Sequence, residues 1–329
     1  MKSNEKERAP FKLQQNIIIL IAMIVLIIVF SALNSNFIDQ YNLVSMAQSL
    51  APYAVLSLGV TFVIATGGID LSIGTVCIAS AVVAGKLYTT ETIPLAMTIP
   101  VMCGIGLLVG LINGLLIAKA KVPNFIATLG TMMFARGFSA LLVSDPNIFF
   151  PTNTWYNKLF SNANGIPTGI IWVLGFMVIC MYIMYKNKVG RYILAIGSNE
   201  EATRLSGINT DKYKIIAYAI SGLSAGIAGI FWAAAFPTVA AATGNGMELD
   251  AIAGVYIGGT SAAGGVASVS GSVIGAALLV VIRNGLNMVL ARFNLNLNST
   301  YVTYVLTGII VVVAVLMDII KTNRAQKKG

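Results

Sequence analysis

Little in this sequence can do covalent chemistry. Histidine is absent from all 329 residues, which excludes imidazole acid–base catalysis and imidazole metal ligation. Cys77, Cys103 and Cys180 lie in apolar runs, where a thiol packs as a small hydrophobe rather than forming a disulfide. There is no G-x-x-x-x-G-K-[ST] phosphate loop, so work driven by ATP needs a motor on another chain. What remains is a set of ionisable and glycine-rich positions in or beside long apolar stretches. Arg136 and Arg283 sit within such stretches, Asp70 at the edge of one, and Glu248 and Asp250 just ahead of another. Charge at membrane depth is costly and marks a working or paired position by default. Two segments break the apolar pattern with paired glycines and small hydroxyls. One is residues 66–72, with Gly67, Gly68 and Asp70; the other is residues 257–265, with Gly258, Gly259 and Thr260. Groups of this kind hydrogen-bond and bend a chain; they do not make a nucleophile with its base.

The elements that carry these residues follow from composition. The chain is 57% hydrophobic and 10% charged, against about a quarter charged in a soluble domain. In hydrocarbon each backbone must satisfy its own hydrogen bonds, and continuous rather than alternating apolar runs select helices over a barrel. The reading is an all-α polytopic membrane protein with about ten spans: 16–33, 44–66, 70–86, 93–118, 123–143, 168–185, 213–236, 250–265, 269–291 and 300–318. The first run follows a basic segment but is long and lacks a small-residue cleavage site, so it is taken as a retained span. One transmembrane domain fills residues 1–329, with tails at 1–15 and 319–329 and one long loop at 186–212.

The net charge of +9 orients the chain instead of recruiting nucleic acid. With ten spans drawn, 16 of the 21 basic residues fall on one side: in the tails, at Lys119 and Lys121, and through the 186–212 loop. Lys86, Lys158 and Arg292 fall opposite. Basic residues concentrate in cytoplasmic loops, so both termini are read as cytoplasmic. Spans 2–5 and 7–10 then run in opposite directions, as an inverted repeat requires, and the two glycine-rich interruptions fit such a repeat. Gly106, Gly110 and Gly114, like Gly222 with Gly226 and Gly271 with Gly275, recur every fourth residue, a spacing that lets helix backbones approach closely.

The 186–212 loop contains a short capped helix. Ser198 with Glu201 forms a capping box, Glu200 and Arg204 stand four apart in the favourable order, and Gly207 supplies the stop. Ala202 and Leu205 share a face of this helix, which spans 199–206. That face either rests on the protein's own surface or enters a cleft on a cytosolic partner; spacing alone leaves both open. On the opposite side, residues 144–167 carry Phe149, Phe150, Trp155, Tyr156 and Phe160, which form an interfacial aromatic belt or present rings to a docking protein. Asp70 is read as a cap or gate element, with cargo contact as the alternative. Glu248 and Asp250 are read as caps or as partners for basic groups of a docking protein.

Residues 190–192 (Gly-Arg-Tyr) with 197–208 resemble the coupling segment of the ribose/monosaccharide ABC transporter permease family. The segments 66–74, 125–130, 248–253 and 257–265 are similar to that family's motifs, in its order. The resemblance implies an inner-membrane subunit of a sugar importer, working as a homodimer above a separate ATPase and below an extracytoplasmic sugar-binding protein. It implies ATPase coupling by Ser198, Asn199, Glu200, Glu201, Ala202, Arg204, Leu205 and Gly207. Path or gate candidates are Gly67, Gly68, Asp70, Asn124, Phe125, Arg136, Gly258, Gly259, Thr260 and Arg283; docking candidates are Trp155, Tyr156, Glu248 and Asp250. The chain would bind no cofactor or metal, ATP and Mg being used by the partner, and would lie in the lipid of a prokaryotic cytoplasmic membrane with ribose as leading cargo. An ion-coupled secondary transporter of a small polar solute is the rival reading.

Overall fold

A computed structural model describes residues 8–143 and 147–293, with residues 301, 302, 305, 307–309, 312, 313 and 316 beyond them. The helices are α1 (Arg8–Leu33), α2 (Gln40–Ala65), α3 (Ile73–Thr89), α4 (Thr98–Ala118), α5 (Asn124–Leu142), α6 (Trp155–Phe160), α7 (Thr168–Tyr185), α8 (Lys188–Ser198), α9 (Glu200–Leu205), α10 (Thr210–Ala235), α11 (Met247–Ile257) and α12 (Val269–Arg292). Two three-residue strands, β1 (Asn147–Phe149) and β2 (Thr238–Ala240), pair antiparallel with Ile148 opposite Val239. Seven helices among the described residues are long and apolar enough to cross a membrane. The tenth expected span, 300–318, lies mostly outside the described residues; the nine positions described there are helical. Residues 1–7 and 317–329, which include part of the first tail and all of the second, also lie outside.

Two expected spans are shorter than drawn. The third begins at Ile73 and not at residue 70, because residues 66–72 form a turn before it. The eighth, expected over 250–265, ends at Ile257. Its 11 residues rise only about 16 Å, roughly half of a hydrocarbon core. Gly258, Gly259, Gly264 and Gly265 end it, since glycine is costly within a helix and three of the four take positive φ. Non-helical backbone at this depth is tolerable only inside protein. Thr260 and Ser261 in this loop are indeed buried.

The bundle is built around α2, whose residues 51–65 are all buried. Backbone-to-backbone approach holds it together. A Cβ on Gly106, Gly110 or Gly114 of α4 would strike the backbone of α10 at Gly222, Tyr218 or Ile215. The same argument joins α11 to α12, where Gly254 faces Gly275 and Gly258 faces Gly271. The expected close-packing role of these glycines is thus what the structure displays. The packing scheme also pairs helices as an internal repeat would. Exchanging α2 with α10, α3 with α11 and α4 with α12 turns the α4–α10, α3–α4 and α3–α10 contacts into the α2–α12, α11–α12 and α2–α11 contacts, all present. The first helix, α1, clips onto α12 through Phe30 against Gly285.

Candidate functional site: a junction beneath helix α9

At one end of the bundle, called here the α9 end, three asparagines shape the chain between α7 and α10. Asn187 accepts from Val189 N at 3.1 Å to start α8, Asn199 from Ala202 N at 2.9 Å to start α9, and Asn209 from Lys212 N at 3.0 Å to start α10. Asn caps well because its carbonyl satisfies an N–H left without a helical partner. The cap of α9 is therefore Asn199, which corrects the capping box expected at Ser198. The α8 helix runs on through Ser198, whose hydroxyl donates back to Leu194 O at 3.0 Å. The expected Glu200–Arg204 pair is also replaced. Arg204 pairs with Glu201, and Glu200 takes Lys214 of α10 at 2.6 Å. Gly207 does terminate the helix, at φ +80°, a backbone that only glycine adopts freely.

The six-residue α9 buries Thr203 against the bundle and turns its other face outward. Leu205 is 80% exposed and Ala202 is exposed beside it. Below α9, the end of α8 meets both glycine-rich loops. Gly197 lies so close to Ala65 O and Gly265 N that a Cβ would overlap both. Gly265 N donates to Ala65 O at 3.0 Å, and Gly264 rests on Gly67 and Gly197. The end of helix α8, the 66–72 turn and the 258–268 loop thus share one contact. Within the loop, Thr260 Oγ1 accepts from Ser268 N at 3.0 Å.

One layer deeper, Asp70 is 1% exposed and its carboxylate is fully engaged. Oδ1 accepts from Ser72 N (3.0 Å) and Ser72 Oγ (2.6 Å), and Oδ2 accepts from Ser221 Oγ of α10 (2.7 Å). The network continues as Asn113 Nδ2 donates to Ser72 Oγ (2.9 Å) and Thr131 Oγ1 to Asn113 Oδ1 (2.8 Å). Asp70 ties α3, α4, α5 and α10 together and makes no cap bond to α3. Direct cargo contact by Asp70 is closed off in this conformation. Gly68 sits under Tyr218, whose hydroxyl donates to Ile69 O at 3.2 Å, with Asn124 alongside. Phe125 points away, 56% exposed.

Farther from the α9 end, Arg283 lies about 21 Å along α12 from Val269. It pairs with Asp250, donates to Tyr53 Oη at 2.6 Å, and stands over the Tyr53 ring at 5.1 Å. A cavity of about 10 Å³, room for one water, lies between them. Internal pairing, not snorkelling, accounts for Arg283. Glu248 is buried too, with Oε1 accepting from Gly246 N at 3.2 Å and Oε2 packed against Gly74. Arg136 is half-buried in α5 with its Nε shielded from solvent.

The sequence matches known proteins closely. Residues 42–315 match the family described as branched-chain amino acid transport system / permease component. The chain is 37% identical over 306 residues to the ribose import permease protein RbsC of Escherichia coli (strain K12), covering 91% of this chain and 92% of the relative. RbsC of Bacillus subtilis (strain 168) is 36% identical over 302 residues, with 91% of each covered. The chain belongs to the monosaccharide ABC transporter permease family. A further relative, the xylose transport system permease protein XylH of Escherichia coli (strain K12), is 30% identical over 369 residues, covering 93% of this chain and 92% of the relative. The chain is accordingly a multi-pass inner-membrane permease and not an enzyme.

Set against this permease architecture, the docking candidates need correction. Tyr156 is fully buried: its hydroxyl donates to Ile230 O at 3.2 Å and its ring packs on Phe150 and Phe160. Glu248 and Asp250 are buried in the first turn of α11. None of the three offers a surface to a docking protein in this conformation, whereas Trp155 does, at 48% exposed. The sequence reading passed over Asn209 and Lys214. The signal for Asn209 was there: an asparagine directly before Thr210 and Asp211 is an ordinary helix start. Lys214 carried none, because its partner is 14 residues away.

Proposed function

We propose that this permease moves a monosaccharide, with ribose as the leading cargo, into the cell as one part of an ATP-driven importer. It works as a homodimer in a prokaryotic cytoplasmic membrane, residues 1–329 forming one permease domain with both termini cytoplasmic. A separate ATPase binds ATP and Mg and docks on α9 through Ala202, Leu205 and the flanking Ser198–Gly207 residues. A sugar-binding protein delivers cargo to the opposite face, where Trp155 is exposed. The junction of α8 with the two glycine loops then carries ATPase motion into the bundle, shifting it between two forms that bind cargo differently.

The observation that carries this reading is the bare face of α9. A six-residue helix is marginal on its own. Here it is capped at Asn199, stopped at Gly207 and tethered by Glu200 to Lys214, yet Leu205 is 80% exposed. A rigid helix presenting a leucine to water at the end where basic loops gather is shaped to fill a cleft on a cytosolic protein. The relatives support the cargo, since two are named for ribose import and one for xylose.

The test is affinity purification of the tagged chain from mild detergent, followed by mass spectrometry. An ATPase subunit should co-purify with the wild-type chain and be lost from Leu205→Asp, which leaves the caps and the Lys214 tether in place. Uptake into vesicles that continues without any ATPase, and collapses with the ion gradient, would instead establish a secondary transporter.

A further inference from the structure

The last residue of α7, Tyr185, makes a contact that membrane-interface tyrosines do not ordinarily make. Such tyrosines place the hydroxyl among headgroups and water. The Tyr185 hydroxyl instead donates to Ala267 O at 3.1 Å and accepts from Val269 N at 3.0 Å. It therefore bridges the last residues of the 258–268 loop and the first residue of α12. Val269 N lies in the first turn of α12, where an N–H has no helical acceptor. One phenol hydroxyl thus serves as both acceptor and donor for backbone of a distant segment.

The surroundings turn this contact into a lever. After Tyr185 only Lys186 and Asn187 precede α8, and Gly190 of α8 lies against Met184 O so closely that a Cβ would overlap it. The end of α7 and the start of α8 therefore form one rigid corner. From that corner α8 leads directly to α9. The other side of the loop is fixed to α2, by Gly265 N donating to Ala65 O at 3.0 Å. The loop is held at two points, one belonging to the core and one to the corner that carries α9.

We propose that Tyr185 is a positioning residue for transport: it passes displacement of the α8–α9 corner to the 258–268 loop and so to the half-span α11. This rests on the coupling role of α9 proposed above. A displaced corner draws Ala267 and Val269 with it, while Ala65 holds Gly265, so the displacement falls on Val266 and the short stretch joining the two anchor points. The hydroxyl does no binding of nucleotide or cargo. Its loss should leave the ATPase running and disconnect it from the path.

The experiment uses proteoliposomes holding the chain, the ATPase that co-purifies with it and the binding protein, with radiolabelled ribose as the probe. Tyr185→Phe keeps the ring and removes only the hydroxyl. Ribose uptake per ATP hydrolysed should fall at least about fivefold, the factor carried by one net hydrogen bond of the two lost, while hydrolysis stays within about twofold of wild type. Val269→Pro is a second route to the same loss, because proline suits the first residue of a helix and removes the N–H that Tyr185 accepts. The double variant should be no worse than Tyr185→Phe alone, because Val269→Pro removes only one of the two bonds that the hydroxyl makes. An unchanged uptake-to-hydrolysis ratio in Tyr185→Phe, or a parallel fall in both quantities, overturns the proposal, as does a double variant whose losses multiply. A wild-type chain that neither retains an ATPase nor takes up ribose with ATP would overturn the importer reading itself, before any variant is compared.

Discussion

At the scale of single residues, burial and pairing decide which charges are structural. Arg283 and Asp250 satisfy one another with help from Tyr53, at side-chain exposures of 30% and 8%. Removing one partner of a buried pair strands the other, whereas replacing both with matched apolar or neutral groups is much milder. Arg283→Ala should lower stability by about 2 kcal/mol, less than a fully enclosed pair because water still reaches the arginine. The combined Asp250→Asn and Arg283→Met variant should recover most of that loss. Thermal unfolding of the detergent-purified protein measures both, and a single variant as stable as the double one would refute the pairing argument. Both residues were visible in the sequence as expensive charges, but their partnership was not. They are 33 residues apart, and no local pattern links them.

At the scale of elements, the glycines at fourfold spacing make a sharper distinction than their pattern alone allows. Within α4, a Cβ at Gly110 would meet Tyr218 O and the Cα atoms of Gly222 and Ala219, whereas at Gly104 it would meet nothing within 4 Å. Gly110→Leu should therefore cost several kcal/mol or abolish folding by forcing α4 from α10. Gly104→Leu should be tolerated and should even favour the helix. The fraction of membrane-inserted protein that resists mild proteolysis reads out both; equal behaviour of the two variants would sink the backbone-contact account. The spacing was legible because a helix repeats near four residues. Periodicity already sets Gly104 on another face from Gly106, Gly110 and Gly114, but which helix that glycine face meets depends on how α4 sits in the bundle.

At the scale of the whole molecule, basic residues set the orientation and the quasi-symmetric packing sets the shape. The distribution of Lys and Arg predicts that both ends of the chain face the cytoplasm. Fusions after residue 329 and ahead of residue 1 should give a fluorescent cytoplasmic reporter and an inactive periplasmic phosphatase. An active phosphatase at either end would overturn the assignment. The predicted orientation matters to the proposed function because it would put α9, with its exposed Leu205, on the side where the proposed ATPase would reach it.

Composition and hydropathy by themselves determined that this chain is helical and membrane-embedded, since hydrocarbon leaves an unpaired backbone no alternative. The serine, acid and glycine punctuation around residues 198–207 determined that a short capped helix interrupts the long loop, because capping is local chemistry between neighbours. Tertiary structure alone decided the rest. It moved the cap to Asn199, since α8 continues through Ser198. It reduced the eighth span to α11, because Gly258 packs on Gly271 and the loop after it finds hydrogen bonds inside the bundle. It buried Tyr156, Glu248 and Asp250, and it brought Gly197, Gly67 and Gly265 to one point. Those outcomes depend on contacts between residues far apart in the chain, whose energies appear only once the helices have chosen their neighbours.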